Sequence, residues 1–242
     1  MTSRQRIMDA LAGVHDPELD EPITTLRFVS SCVIDPDGDV RIALRLPTPQ
    51  CAPNFAFLMA ADARRAVAAL PGVRSVTVTL EDHYTGEEIN AALGRGDGFT
   101  GAFPGETADD DLEALRELFV RKALIARQST VCEAMLAAGD SVETVLARRV
   151  TDLPRSSEAR RAVELRSALG IESGPDAPAF VLADGCALTA DELPRWRRMA
   201  RLVRTSLEAN GGICRSLLQV RHNLTAEADA VVAATDSEEV VR

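Results

Sequence analysis

The sequence predicts a small α/β (α+β) domain of order α-β-β-α-β, built on a three-stranded sheet, followed by a mostly α-helical domain. Three observations carry this. Val73 to Leu80 alternates Val73, Ser75, Thr77, Thr79 against Arg74, Val76, Val78, Leu80, the period-2 signature of a strand with one buried face. Asp35-Pro36-Asp37-Gly38-Asp39 is a turn sequence between two apolar, β-branched runs, Phe28–Ile34 and Val40–Leu46, which gives a β-hairpin. Finally, apolar residues recur at three- and four-residue steps over Asn54–Leu70 and again through most of the chain beyond residue 107.

The elements follow in order. Ser3 to Val14 reads as a short helix, with Ser3 as N-cap and Ile7, Met8 and Leu11 at helical spacing; His15-Asp16-Pro17-Glu18 ends it. After the hairpin, Leu46-Pro47-Thr48-Pro49-Gln50-Cys51-Ala52-Pro53 leads into a helix whose apolar face carries Phe55, Leu58, Met59, Ala63, Ala66, Val67 and Leu70, with Arg64 and Arg65 toward solvent. Pro71-Gly72 stops that helix. Strand, helix and strand then form a crossover, so the first and third strands pair beside the second in one sheet that both helices cover.

Gly86 to Leu93 predicts a last short helix, and the domain closes at residue 93. Gly94, Gly96, Gly98, Gly101 and Gly105 mark 94–106 as a glycine-rich linker. Residues 107–224 form the helical domain, with helices over Ala108–Ala138, Val142–Arg149, Ser156–Leu169, Ala190–Ala209 and Gly212–Leu224 and one strand-like run, Ala179–Leu182. Residues 225–242 make an acidic tail.

Bulk properties narrow the function. A chain of 242 residues, 46% hydrophobic and 26% charged, holds a folded core, and its formal charge of −10 opposes a general phosphate-backbone binder. No nucleic-acid partner is expected. The five cysteines, Cys32, Cys51, Cys132, Cys186 and Cys214, are an odd number with no CxxC pair, which fits a reducing cytoplasm better than a disulfide framework. No apolar leader or 18-residue apolar run is present, so neither secretion nor a membrane partner is expected. GxSxG, GxGxxG, P-loop and HExxH patterns are also absent.

Potential ligands collect at the connections of the first domain: His15, Asp16 and Glu18 after the first helix, Cys51 before the second, and Glu81, Asp82 and His83 after the third strand. Backbone N–H groups at a helix start favour an anionic sulfur, and the prolines around Cys51 limit where it points. Thiolate, imidazole and carboxylate together suit iron or zinc, so Cys51, His83 and His15 are the candidate metal ligands. Each has a plainer alternative: Cys51 as a small buried hydrophobe, the histidines as surface or structural residues, Asp16 as a turn cap. Cys32 on a strand and Cys132 beside Val131 and Met135 are expected in the core, whereas Cys186 and Cys214 follow glycines and are left outside the site.

Val14 with Asp16-Pro17-Glu18, a hairpin holding Gly38 and Val40, Thr48-Pro49-Gln50-Cys51 with Pro53, and Leu70-Pro71-Gly72-Val73 leading to Val76 and Val78 together resemble the SufT- and PaaD-type metal-sulfur cluster assembly domain. The likeness spans roughly residues 4 to 93. It implies a factor that assembles or delivers iron–sulfur clusters, or matures an iron-dependent oxygenase, through a reactive cysteine that is Cys51 here. The family's acidic element maps onto Asp16, Pro17 and Glu18, and its loop threonine onto Thr48, giving Cys51, Thr48, Asp16 and Glu18 as cluster-contacting residues. Iron or an iron–sulfur cluster, held transiently, is the implied cofactor. A client metalloprotein or other cluster-assembly proteins are the partners, with a homodimer in which two Cys51 loops share one cluster as a further expectation. Ala52, where the family places proline directly after its cysteine, is a departure.

Two other functions compete with a non-enzymatic assembly factor. One is a cysteine-dependent enzyme with Cys51 as nucleophile and His83 as base. The other is an adaptor or chaperone acting through the helical domain, whose long helix carries Leu112, Leu115, Phe119 and Ala123 on one face.

Overall fold

The computed structural model describes residues 2–105 and 112–222. The expected tail, 225–242, lies outside the described residues, as do positions 106–111. Two compact units emerge: residues 2–16, 21–105 and 210–222, and residues 17–20 and 112–209.

In the first unit, helix α1 (Arg4–Leu11) starts where Ser3 Oγ accepts from the Arg6 N–H. Strands β1 (Val29–Ile34) and β2 (Asp39–Arg45) form an antiparallel hairpin, and β2 pairs in parallel with β3 (Ser75–Glu81), so the order is β1-β2-β3 with β2 central. The hairpin turn needs its glycine. Gly38 sits at φ +88°, and a Cβ there would lie 2.7 Å from the Gly72 carbonyl. Helix α2 (Pro53–Ala68) packs on β3 and α1, and α3 (Gly86–Arg95) packs on β3. Val40, Ile42 and Leu44 of β2 and Val78 and Leu80 of β3 turn their alternating side chains into this core. Each such burial contributes on the order of 1.5–3 kcal/mol.

Part of the stretch expected as a glycine-rich linker, 94–106, is helical, and residue 106 lies outside the described residues. Helix α3 runs to Arg95, ends on Gly96 in the left-handed conformation, and is followed by a short helix α4 (Phe99–Ala102). Phe99 is buried and meets Phe57 edge-on, with ring centroids 5.5 Å apart. One aromatic with a partner outweighs the conformational freedom of its glycine neighbours.

The second unit comprises α5 (Glu113–Ala137), α6 (Val142–Ala147), a 3₁₀ turn (Val150–Asp152), α7 (Ser157–Ala168) and the first part of α8 (Leu193–His222), whose last residues belong to the first unit. Leu124, Ala162 and Leu165 join α5 to α7, while Cys132, Phe180, Leu188 and Trp196 form a second cluster. Arg166 is buried between them: its guanidinium donates to the Pro178 and Ala179 carbonyls and, at 2.8 Å, to Gln128 Oε1. Burial lowers its pKa to about 10. Instead of the strand expected at Ala179–Leu182, only single bridges occur there, Arg149 with Pro178 and Val181 with Ala187.

The break expected between Ala209 and Gly212 is absent, and α8 runs through both glycines. Each glycine costs about 1 kcal/mol inside a helix relative to alanine. A Cβ at Gly211 would come within 3.3 Å of the Glu21 carboxylate and the Arg215 guanidinium, which pair at 2.7 Å over it.

Candidate functional site

Cys51 lies on the connection from β2 to α2. Its N–H donates to the Thr48 carbonyl at 3.4 Å, closing a turn around Pro49-Gln50. Helix α2 then starts with Ala52 as N-cap and Pro53 at its first position, where a missing N–H costs nothing. Ala52 offers no side-chain cap, Pro53 has no N–H, and the Phe55 N–H donates to Asn54 Oδ1 at 2.9 Å. Cys51 is half-buried, and its sulfur stands 3.7 Å from the Thr48 hydroxyl.

Three of the other four thiols are held toward the neutral form. Burial pushes the Cys32 thiol up, and burial followed by the Glu133 charge raises Cys132 to about 11. Cys186 is exposed, yet its bond to the Asp184 carboxylate and that group's charge hold it toward the neutral form. Cys214 is half-buried on α8, outside the loops that carry the expected site.

His83 comes to the Cys51 loop from the end of β3. Asp82 adopts φ +50°, a left-handed turn that aspartate tolerates better than most residues, and this sends the chain back toward the loop. The Tyr84 N–H donates to the Pro49 carbonyl at 3.0 Å, and the His83 Nε2–H donates to the Cys51 carbonyl at 2.8 Å. Nδ1 accepts from the Thr85 N–H at 3.3 Å and faces the Thr85 hydroxyl at 3.2 Å. A carbonyl only accepts and an amide N–H only donates, so the ring is the Nε2–H tautomer. Both nitrogens are engaged, and neither is available as a base for the Cys51 sulfur.

His15 and Asp16 occupy a different feature, a reversal in which the Val14 carbonyl accepts from Ile23 N–H and the Glu21 carbonyl from Asp16 N–H, both at 2.9 Å. His15 bridges to Pro22, and its Nδ1 lies 3.1 Å from the Gly13 carbonyl; the Asp16 side chain is buried. Pro17 to Asp20, including Glu18, count with the second unit, where Asp20 meets Arg127 at 2.8 Å and Arg161 at 2.6 Å. Thus the structure brings Thr48, Cys51 and His83 together. Among the described residues no three His, Cys, Asp or Glu side chains gather to hold a metal ion.

Residue spacing did not single out Tyr84 and Thr85, since neither carries a ligand motif. Tyr84 is 59% exposed and its ring lies 5.2 Å from that of His83, beside the Cys51 loop. Aspartate before the histidine, a residue able to turn left-handed, was the one available signal.

A family model described as iron-sulfur cluster assembly protein matches residues 4–80. An uncharacterized protein of Methanocaldococcus jannaschii is 32% identical over 93 residues, covering 38% of this chain and 96% of the relative. The iron-sulfur cluster carrier protein of Mycobacterium leprae is 33% identical over 78 residues, covering 32% of this chain but only 20% of that protein. No solved structure matches the chain. No helix among the described residues is long and apolar enough to cross a membrane.

Proposed function

Because the chain belongs, through residues 4–80, to the iron-sulfur cluster assembly protein family, we propose that it takes up iron or an iron–sulfur cluster as cargo at Cys51 and passes it to a client metalloprotein. One observation carries this reading: Cys51 is a half-buried thiol on a pinned loop inside the matched segment, with a hydroxyl beside its sulfur. Clusters are ordinarily held by four thiolates. A single thiol per chain therefore holds cargo incompletely, which suits uptake followed by release rather than permanent storage. The remaining ligands come from a second copy, in which two Cys51 loops share the cluster, or from the client as it docks.

In this reading the protein is a carrier and not an enzyme, and its free thiols work in a reducing cytoplasm. An iron-dependent oxygenase is a fitting client. Asp16 and Glu18 enter through the family's acidic element, and His15 stands beside that element. The test is anaerobic reconstitution of the full chain with ferrous iron and sulfide. Cys51→Ser is expected to lose the bound iron while keeping the far-ultraviolet circular dichroism of the parent, and parental iron content in that variant would overturn the proposal.

A further inference from the structure

The geometry points to His83 as a positioning residue for the cargo thiol rather than as one of the cargo's ligands; this rests on the reading of Cys51 as that thiol. Two bonds tie the end of β3 to the loop at alternate residues: the Tyr84 N–H to the Pro49 carbonyl at 3.0 Å and the His83 Nε2–H to the Cys51 carbonyl at 2.8 Å. The second acts on the peptide that carries the sulfur, immediately before the start of α2. It fixes the Cys51 carbonyl direction, and with it the rotation from which the side chain leaves the backbone.

The ring itself is held against turning. Nδ1 accepts from the Thr85 N–H and Nε2–H donates to the Cys51 carbonyl, so a half-turn of the ring would set Cδ2–H and Cε1–H in their places and lose both bonds. Binding a metal at Nε2 would release the loop carbonyl, and binding one at Nδ1 would displace the Thr85 N–H. Ligation at Nε2 would undo the strut, whereas ligation at Nδ1 would cost the Thr85 contact and leave the bond to the Cys51 carbonyl in place, so the two roles are separated by direct measurement on the nitrogen.

Two measurements separate them. In full-length chain with Cys186 and Cys214 replaced by serine, the rate of Cys51 alkylation by iodoacetamide reports loop order without any metal. His83→Ala is expected to change that rate by roughly fivefold, the weight of one neutral hydrogen bond, whereas His83→Gln, whose amide N–H can donate to the same carbonyl, should return it to near the parental rate. The second measurement is pulsed electron paramagnetic resonance of the reduced, ¹⁵N-histidine-labelled protein after reconstitution with ferrous iron and sulfide. No imidazole nitrogen coupling is expected, and His83→Gln should keep its iron. Nitrogen coupling in the parent, loss of iron in His83→Gln, or an alkylation rate indifferent to His83→Ala would each overturn the assignment. A parent that binds no iron would instead overturn the carrier reading, and the alkylation series would still decide the strut.

Discussion

The imidazole of His83 donates to the carbonyl oxygen of Cys51 at 2.8 Å, while the sulfur of Cys51 faces the hydroxyl of Thr48 at 3.7 Å. The residue divides its contacts: its backbone is held from β3, and its side chain is left to the loop. A thiol placed this way has a fixed origin and one soft polar neighbour.

Thr48→Val keeps the shape of that neighbour and removes its hydroxyl. Release of iron from the reconstituted chain to a chelator should accelerate by a few-fold, because one weak hydrogen bond to sulfur is lost, and Thr48→Ser should restore the parental rate. Equal release rates in all three proteins would show that the hydroxyl does not touch the bound cargo.

Asp20 is 4% exposed and takes ion pairs from both Arg127 and Arg161. Asp20→Ala takes the shared carboxylate from two partly buried guanidinium groups, leaving Arg127 with Glu158 and Arg161 with Glu164, and removes a residue suited to φ +52°. A loss of about 2–3 kcal/mol in denaturant unfolding is expected. Asp20→Asn, which keeps the left-handed turn, should lose less.

His222, at the end of α8, has its pKa lowered by burial first and then by the charges of Arg45 and Arg221, against the opposing pull of Asp82 and Glu81. A folded-state value below the unfolded one means that the unfolded chain takes the proton first. Stability is therefore full above the ordinary histidine pKa of about 6.5 and declines as pH falls through that value toward the lower folded one. Amide protection factors over residues 213–222, corrected for the intrinsic exchange rate, should fall as pH is lowered across that window, and His222→Gln should flatten the dependence.

Gly211 and Gly212 lie side by side in α8 and differ in what surrounds them. A Cβ at Gly212 meets nothing within 4 Å, whereas one at Gly211 comes within 3.3 Å of the Glu21–Arg215 pair. Gly212→Ala should stabilise the chain by up to about 1 kcal/mol, and Gly211→Ala by less, because two flexible side-chain ends must shift. A larger gain at Gly211 in thermal unfolding would contradict this.

Much of the first unit could be read from residue order alone. The alternation of Val76, Val78 and Leu80, the Asp35–Asp39 turn and the helical spacing after Pro53 specify strands and helix locally, and parallel pairing of β2 with β3 follows from the helix between them. Glycine counts were a weaker guide. They suggested a flexible stretch where Phe99 packs and a break where α8 continues, because propensity is small beside one buried ring or a long helix.

Residue types and their spacing determined the small mixed sheet, the helical region that follows it, and the presence of a proline-flanked thiol ahead of α2. Tertiary structure alone decided which neighbours that thiol has: a left-handed turn at Asp82 brings His83 to the Cys51 carbonyl, and Asp20 goes to Arg127 and Arg161. The reason is physical. Secondary structure is set by contacts a few residues apart, whereas the partner of a loop side chain is set by hydrogen bonds and charges whose donors and acceptors lie tens of residues away, where spacing in the sequence carries no geometry.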